Sequence, residues 1–180
     1  KADAAAAAAA AKAAAEARER AARRMARQQG QSWSNSAGGT IQPPPFTFPV
    51  DGPHSYINSW GFARSGGTRT HKGTDIMAAR GTRLVACSPG VVSGVNRSDS
   101  GLGGITVHIR GDNGYVYYYA HLDSVASGVY AGMRVQGGTL VGYVGNSGNA
   151  RGGACHLHFG MQPGGGANVN PYPTLRYYDD

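Results

Sequence analysis

Long apolar runs are missing from this 180-residue chain: the longest is Ala4 to Ala11, too short and too small in its side chains to cross a bilayer. Charged residues are scarce at 15 %, and cysteine falls to two, Cys87 and Cys155. A disulfide-dense small scaffold is excluded by that count. The 29 glycines follow no three-residue period, which excludes a collagen-like repeat. Neither H-E-x-x-H nor G-x-S-x-G occurs, so a thermolysin-type site and an α/β-hydrolase nucleophile elbow are absent. Acidic residues are outnumbered, ten against 17 Lys and Arg, giving +7 and a pI near 9.7. Such a balance favours polyanionic partners without choosing among them. Seven of the basic and three of the acidic residues lie within the first 32, so the excess is diffuse. No basic cluster interleaved with stacking aromatics appears, and nucleic acid is not an expected partner.

What is abundant is glycine, proline and short alternating apolar runs, and these divide the chain into three parts. Residues 1–30 are dominated by Ala with Lys, Arg, Glu and Gln, strong helix formers without an internal Pro or Gly before Gly30. A helix is expected, nearly free of large apolar residues, suited to a solvated stalk or a coiled-coil remnant with a coiled-coil contact. Residues 31–45 turn Ser/Gly-rich and end in Pro43-Pro44-Pro45, a linker that stiffens toward its end. From Phe46 to residue 180 the period becomes two, with strands predicted near 82–87, 90–96, 104–110, 115–121, 139–144 and 156–161. Gly111-Asp112-Asn113-Gly114 reads as a hairpin turn. No helical period is evident after residue 46. The body is therefore expected to be mainly antiparallel β, a two-layer sandwich or a partly open barrel.

Chemistry is concentrated in the histidines. In His156-Leu157-His158-Phe159 strand alternation sends both imidazoles to one face, with Cys155, Leu157 and Phe159 turned to the core. His71-Lys72-Gly73-Thr74-Asp75 carries an imidazole and a carboxylate that a curl at Gly73 brings to one ion. With His158 these make two nitrogen ligands and one oxygen, leaving a tetrahedral corner for water, the mark of a catalytic rather than a structural zinc. His121 ends the strand Tyr115 to Ala120, where alternation puts Tyr115, Tyr117, Tyr119 and His121 on one face. The tyrosines read as packing. His108 reads as a solvent-facing strand residue and His54 as part of a Gly-Pro-His turn, neither with a role. The glycine-rich loop Gly145–Gly153 suits either a flexible turn or one wall of a groove that admits an extended peptide.

These segments, taken with Tyr119-Ala120-His121-Leu122, resemble the lysostaphin-like, LytM-type zinc endopeptidases, metallopeptidase family 23, over about Phe46 to Pro173. The segments from Phe48 to His54 and from Asn170 to Pro173 look like actinobacterial members. The resemblance implies a zinc-dependent endopeptidase that hydrolyses peptide cross-bridges of bacterial peptidoglycan. It implies His71, Asp75 and His158 as zinc ligands, and His121 and His156 as catalytic residues. It also implies a secreted, cell-wall location, and on that footing a disulfide between Cys87 and Cys155 is expected. Three other readings are a non-catalytic wall-binding module that activates another hydrolase, an autoinhibited enzyme, and a serine hydrolase built on Ser147. In the autoinhibited reading residues 31–54 or the helix lie across the groove, and Asn35 or Asn58 reaches the metal.

Overall fold

The computed structural model describes residues 46–179, so the expected helix at 1–30 and linker at 31–45 lie outside the described residues. Among the described residues no helix is long and apolar enough to cross a membrane. Short strands dominate, as the period-two pattern requires. They are β1 (Val50–Asp51), β2 (His54–Tyr56), β3 (Ala63–Arg64), β4 (Arg69–Thr70), β5 (Thr74–Ala78) and β6 (Arg83–Val85). There follow β7 (Gly90–Asn96), β8 (Ile105–Gly111), β9 (Tyr115–Val125), β10 (Arg134–Val135), β11 (Leu140–Val144) and β12 (His156–Pro163). The six predicted strands correspond to β6, β7, β8, β9, β11 and β12. One seven-residue helix, α1 (Tyr172–Tyr178), corrects the expectation of no helix after residue 46. It starts behind Pro171, and two turns are too few to register as a helical period in the sequence.

Ten strands form one antiparallel sheet in the order β1-β6-β11-β9-β12-β5-β2, with β8, β7 and β10 branching from β9, while β3 and β4 make a separate hairpin. The sheet curls into a nearly closed barrel around a core that includes Ile76, Leu84, Val107, Tyr119, Leu157 and Phe159, all fully buried. The turn from β8 to β9 closes through the Gly114 N–H on the Gly111 carbonyl at 3.1 Å, as Gly111 to Gly114 predicts. At the centre β9 changes partners. Ala120 is the last residue opposite β12, and Leu122 is already opposite β11. On the other edge Val107 pairs with Tyr119 but Ile105 pairs with Leu122, which leaves an extra residue on β9. His121 occupies this bulge with φ +64°, alone among the described non-glycine residues in having positive φ.

Both cysteines are free thiols, which overturns the expected Cys87–Cys155 disulfide. The fold keeps them apart. Cys87 follows β6 where Ala86 bonds Gly138 and Thr139 before β11, whereas Cys155 precedes His156, which pairs with Gly145 beyond the other end of β11. A disulfide needs Cα atoms within about 7 Å, and the length of a five-residue strand separates the two. Cys87 is buried beside Tyr119, whose hydroxyl accepts its backbone N–H at 2.9 Å, and burial pushes its thiol pKa up, so it is inert.

Candidate metal centre and active site

Three elements converge on the outer face of the sheet. The expected curl is present as a bend at Gly73, just before β5: Asp75 lies on β5 directly opposite His158 on β12, and His71 stands in the connection from β4 to β5. The register that buries Leu157 and Phe159 turns His156 and His158 outward, as alternation predicts. His71 is held by its backbone, bonded to Gly61 and Phe62, and by its ring, whose Nδ1–H donates to the Ser59 carbonyl at 3.0 Å. That bond leaves the lone pair on Nε2.

His71 Nε2, His158 Nδ1 and Asp75 Oδ1 stand 2.9 Å from one another on every side. At that spacing the three atoms share either a ring proton or a bound cation. Two imidazole nitrogens and one carboxylate oxygen form a donor set suited to zinc, and no other such group of three occurs among the described residues. Asp75 spends its other oxygen on Arg64, whose guanidinium donates to Oδ2. Burial acts to raise the Asp75 pKa, but hydrogen bonds and charge from His158 and His71 together outweigh it and hold the carboxyl well below its ordinary range. Burial likewise lowers the pKa of His158, partly offset by Asp75. Both shifts favour the form of each side chain that binds a metal.

Gly73 makes the convergence possible. A Cβ there would lie 2.6 Å from the Phe159 carbonyl oxygen and 2.7 Å from the His158 ring, so only glycine lets the two strands and that imidazole approach.

His121 and His156 stand beside the triangle with ring centroids 5.0 Å apart. Each is tethered through Nδ1–H to a backbone carbonyl, Ser147 at 2.8 Å and Ala154 at 2.9 Å, leaving Nε2 to the groove. His156 Nε2 is 3.9 Å from Asp75 Oδ1, and the His121 ring is 5.9 Å from that of His158. Burial pushes the His121 pKa down to about 4. Its placement corrects the alternation argument. Tyr117 and Tyr119 fill the core, so a regular strand would bury His121 with them, and the left-handed bulge turns it to the opposite face instead.

Ser147 is no nucleophile. Its hydroxyl is buried, donates to the Leu122 carbonyl at 2.7 Å and accepts the Ile105 N–H at 2.9 Å, pinning the loop whose carbonyl orients His121. Asn58 accepts a hydrogen bond from Asn170 at 3.1 Å, and Asn35 lies outside the described residues.

The five histidine and aspartate side chains line an open groove of about 1010 Å³, walled by the segment 67–72 on one side and by Leu102, Asn149 and Ala150 on the other. The loop 145–153 is thus a wall rather than a free turn, packed on Gly104 with no room for a Cβ there. Arg64, Ser59 and Tyr118 join the site without having been singled out in the sequence. Nothing near Arg64 or Ser59 signals their partners. Tyr118 was legible in principle, because the alternation that buries Tyr117 and Tyr119 turns it to the face of His158. His108, expected in solvent, packs its ring 4.7 Å from that of Tyr118, and burial lowers its pKa.

Fold and site together define a class: a nearly closed antiparallel β-barrel with a candidate metal centre in an open groove. Residues 69–171 match the family described as Peptidase family M23, and the chain belongs to that family, homologous to LytM- and lysostaphin-type endopeptidases. It is 38 % identical over 145 residues to the L-Ala--D-Glu endopeptidase of Bacillus subtilis, covering 74 % of this chain and 43 % of that protein. It is 36 % identical over 95 residues to the peptidoglycan DD-endopeptidase ShyC of Vibrio cholerae, covering 53 % of this chain and 21 % of that protein. A solved structure of a candidate glycyl-glycine endopeptidase lytM from Ruminococcus gnavus superposes with a TM-score of 0.62 at 37 % identity, covering 74 % of this chain and 60 % of that one. The chain thus spans less than half the length of these curated relatives.

Proposed function

We infer that this chain is a zinc-dependent endopeptidase that hydrolyses peptide cross-bridges of peptidoglycan, acting outside the cytoplasm where that polymer lies. The observation that carries the reading is the triangle of His71, Asp75 and His158 flanked by two imidazoles whose Nδ1 protons are both committed to backbone carbonyls. Support for the substrate comes from the relatives, whose names specify endopeptidase action, in one case on peptidoglycan.

His71, Asp75 and His158 would hold a zinc ion, which when bound would supply Lewis acidity for the scissile carbonyl and a water nucleophile near neutral pH. The residues around it divide the remaining work. His121, neutral above about pH 4 and with its lone pair on Nε2, accepts the proton of the attacking water. His156 presents Nε2 to the oxygen of the scissile carbonyl and stabilises the charge that develops there when that nitrogen carries a proton. Arg64 holds Asp75 in the one-oxygen orientation the triangle requires. The open groove admits an extended chain across all of these groups, and the intact set weighs against a purely wall-binding module.

The test is to purify the 180-residue chain, measure its metal by elemental analysis and digest sacculi of known cross-link chemistry, identifying the released peptides. One zinc per chain is expected, with peptide release that a chelator stops and added zinc restores. Chain that carries no zinc, or zinc-loaded chain that releases no peptide, overturns the reading.

A further inference from the structure

Beside the metal centre the same sheet face carries a second, smaller hollow of about 280 Å³ that the mechanism does not use. Its lining is Lys72, His108, Tyr118, His158, Gln162 and Asn168. Gly160, opposite Tyr118 across the β9–β12 pairing, lies against two of these, since a Cβ there would come within 3.3 Å of Tyr118 and 3.5 Å of the Asn168 side-chain oxygen. Within it the His108 ring packs against that of Tyr118, with centroids 4.7 Å apart. His158 belongs to both this hollow and the main groove, with its ring 6.0 Å from that of Tyr118. A peptide chain advances at most about 3.6 Å per residue, so whatever fills the hollow belongs to a residue next to the scissile bond or one beyond it.

The chemistry of the lining is one-sided. No acidic residue lines the hollow, and in the adjoining groove the acid is Asp75, with both oxygens already engaged. Among the described residues the Lys72 ammonium makes no ion pair; its neighbour is the face of Trp60 at 5.4 Å, a weak contact. The Gln162 and Asn168 side chains donate no hydrogen bond within the described residues, so an ammonium and two amides are available to one acceptor-rich group.

We propose that the hollow lined by Lys72, Gln162 and Asn168 is a subsite for a carboxylate-bearing residue adjacent to the scissile bond, so that the enzyme selects acidic peptides over uncharged ones. This rests on the endopeptidase reading above and gives it a substrate class. The carboxylate accepts from the Lys72 ammonium and from the two side-chain amides.

The experiment uses zinc-loaded chain and two pairs of probes. The first pair is N-acetyl-glutamate N-methylamide and its glutamine counterpart, in both the L and the D configuration, titrated while the side-chain amide signals of Gln162 and Asn168 are followed by NMR. The second pair is longer synthetic peptides differing by the same carboxylate-to-amide change, compared by kcat/KM. Binding of the carboxylate in one configuration about tenfold tighter than the amide is expected, because a hydrogen bond to an ionised group outweighs a neutral one by that much. The preference should fall toward unity in Lys72→Met and weaken in Gln162→Leu, two changes at side chains outside the core. Equal affinity for carboxylate and amide, or a preference that survives Lys72→Met because the carboxylate simply ligates zinc, overturns the subsite. Selective binding in a chain that cleaves neither sacculi nor peptides supports the subsite and overturns the endopeptidase reading, so the two failures are distinguishable.

Discussion

Replacing His121 separates what its side chain does from what its backbone endures. Its φ of +64° places it in the left-handed region, which costs a residue with a Cβ about 1–2 kcal/mol and costs glycine almost nothing. His121→Ala and His121→Gly both delete the Nδ1–H bond to Ser147 and the proton acceptor, so that loss is common to the pair. They differ in the Cβ. Glycine removes the backbone penalty but gains about 0.4–1 kcal/mol of unfolded-chain entropy, so the glycine variant should be more stable than the alanine variant by about 1 kcal/mol. For a domain of this size that corresponds to about 3 °C in Tm. Peptide release should fall by about 10²- to 10⁴-fold in both variants, the range for a lost general base, while zinc content stays at wild-type level. Thermal unfolding, elemental analysis and a sacculus digest on the same preparations read all three quantities. An alanine variant as stable as the glycine variant would refute the strained-bulge argument, and near-full activity in either would refute the role given to the imidazole.

Gly73→Ala should cost zinc affinity and stability together, because its Cβ can be relieved only by moving the His158 ring or parting β5 from β12; zinc titration and denaturant unfolding measure both. Arg64→Met leaves the triangle intact but frees Asp75 Oδ2, and zinc affinity measured by competition with a chelator should fall about 10- to 100-fold. The pair His54 and Asp179, at 3.1 Å, fastens the end of α1 to β2 and predicts a pH dependence of stability. The Asp179 hydrogen bond raises the His54 pKa above 6.5, so the stabilisation it brings is complete below 6.5 and is lost as pH rises through the raised value. Burial raises the pKa of Asp179, but its bonds from His54 and Tyr56 outweigh this and lower it below 3.8, so its contribution is present above 3.8 and is lost in stronger acid. Urea unfolding should therefore show the largest deficit of His54→Gln relative to wild type between about pH 4 and 6.5, and an equal deficit at pH 9 would contradict the pairing.

The linear pattern of this chain determined a good deal. Period-two runs between glycine-rich turns dictate antiparallel strands, because only alternation buries Leu157 and Phe159 while turning His156 and His158 to one solvent-facing surface. The spacing from His71 to Asp75 names two candidate ligands, and the family resemblance names the rest of the candidate set. What the tertiary structure decided depends on register between strands distant in sequence. Asp75 meets His158 because β5 pairs with β12, a contact that no local pattern encodes. His121 reaches the site against the alternation of its own strand, since β9 must shed one residue where it exchanges β12 for β11. The two cysteines, compatible with a bridge by count, fall at opposite ends of β11 and remain thiols. A sequence specifies which face each side chain prefers, whereas distances of 2.9 Å among three candidate ligand atoms are fixed only when neighbouring strands lock into one register.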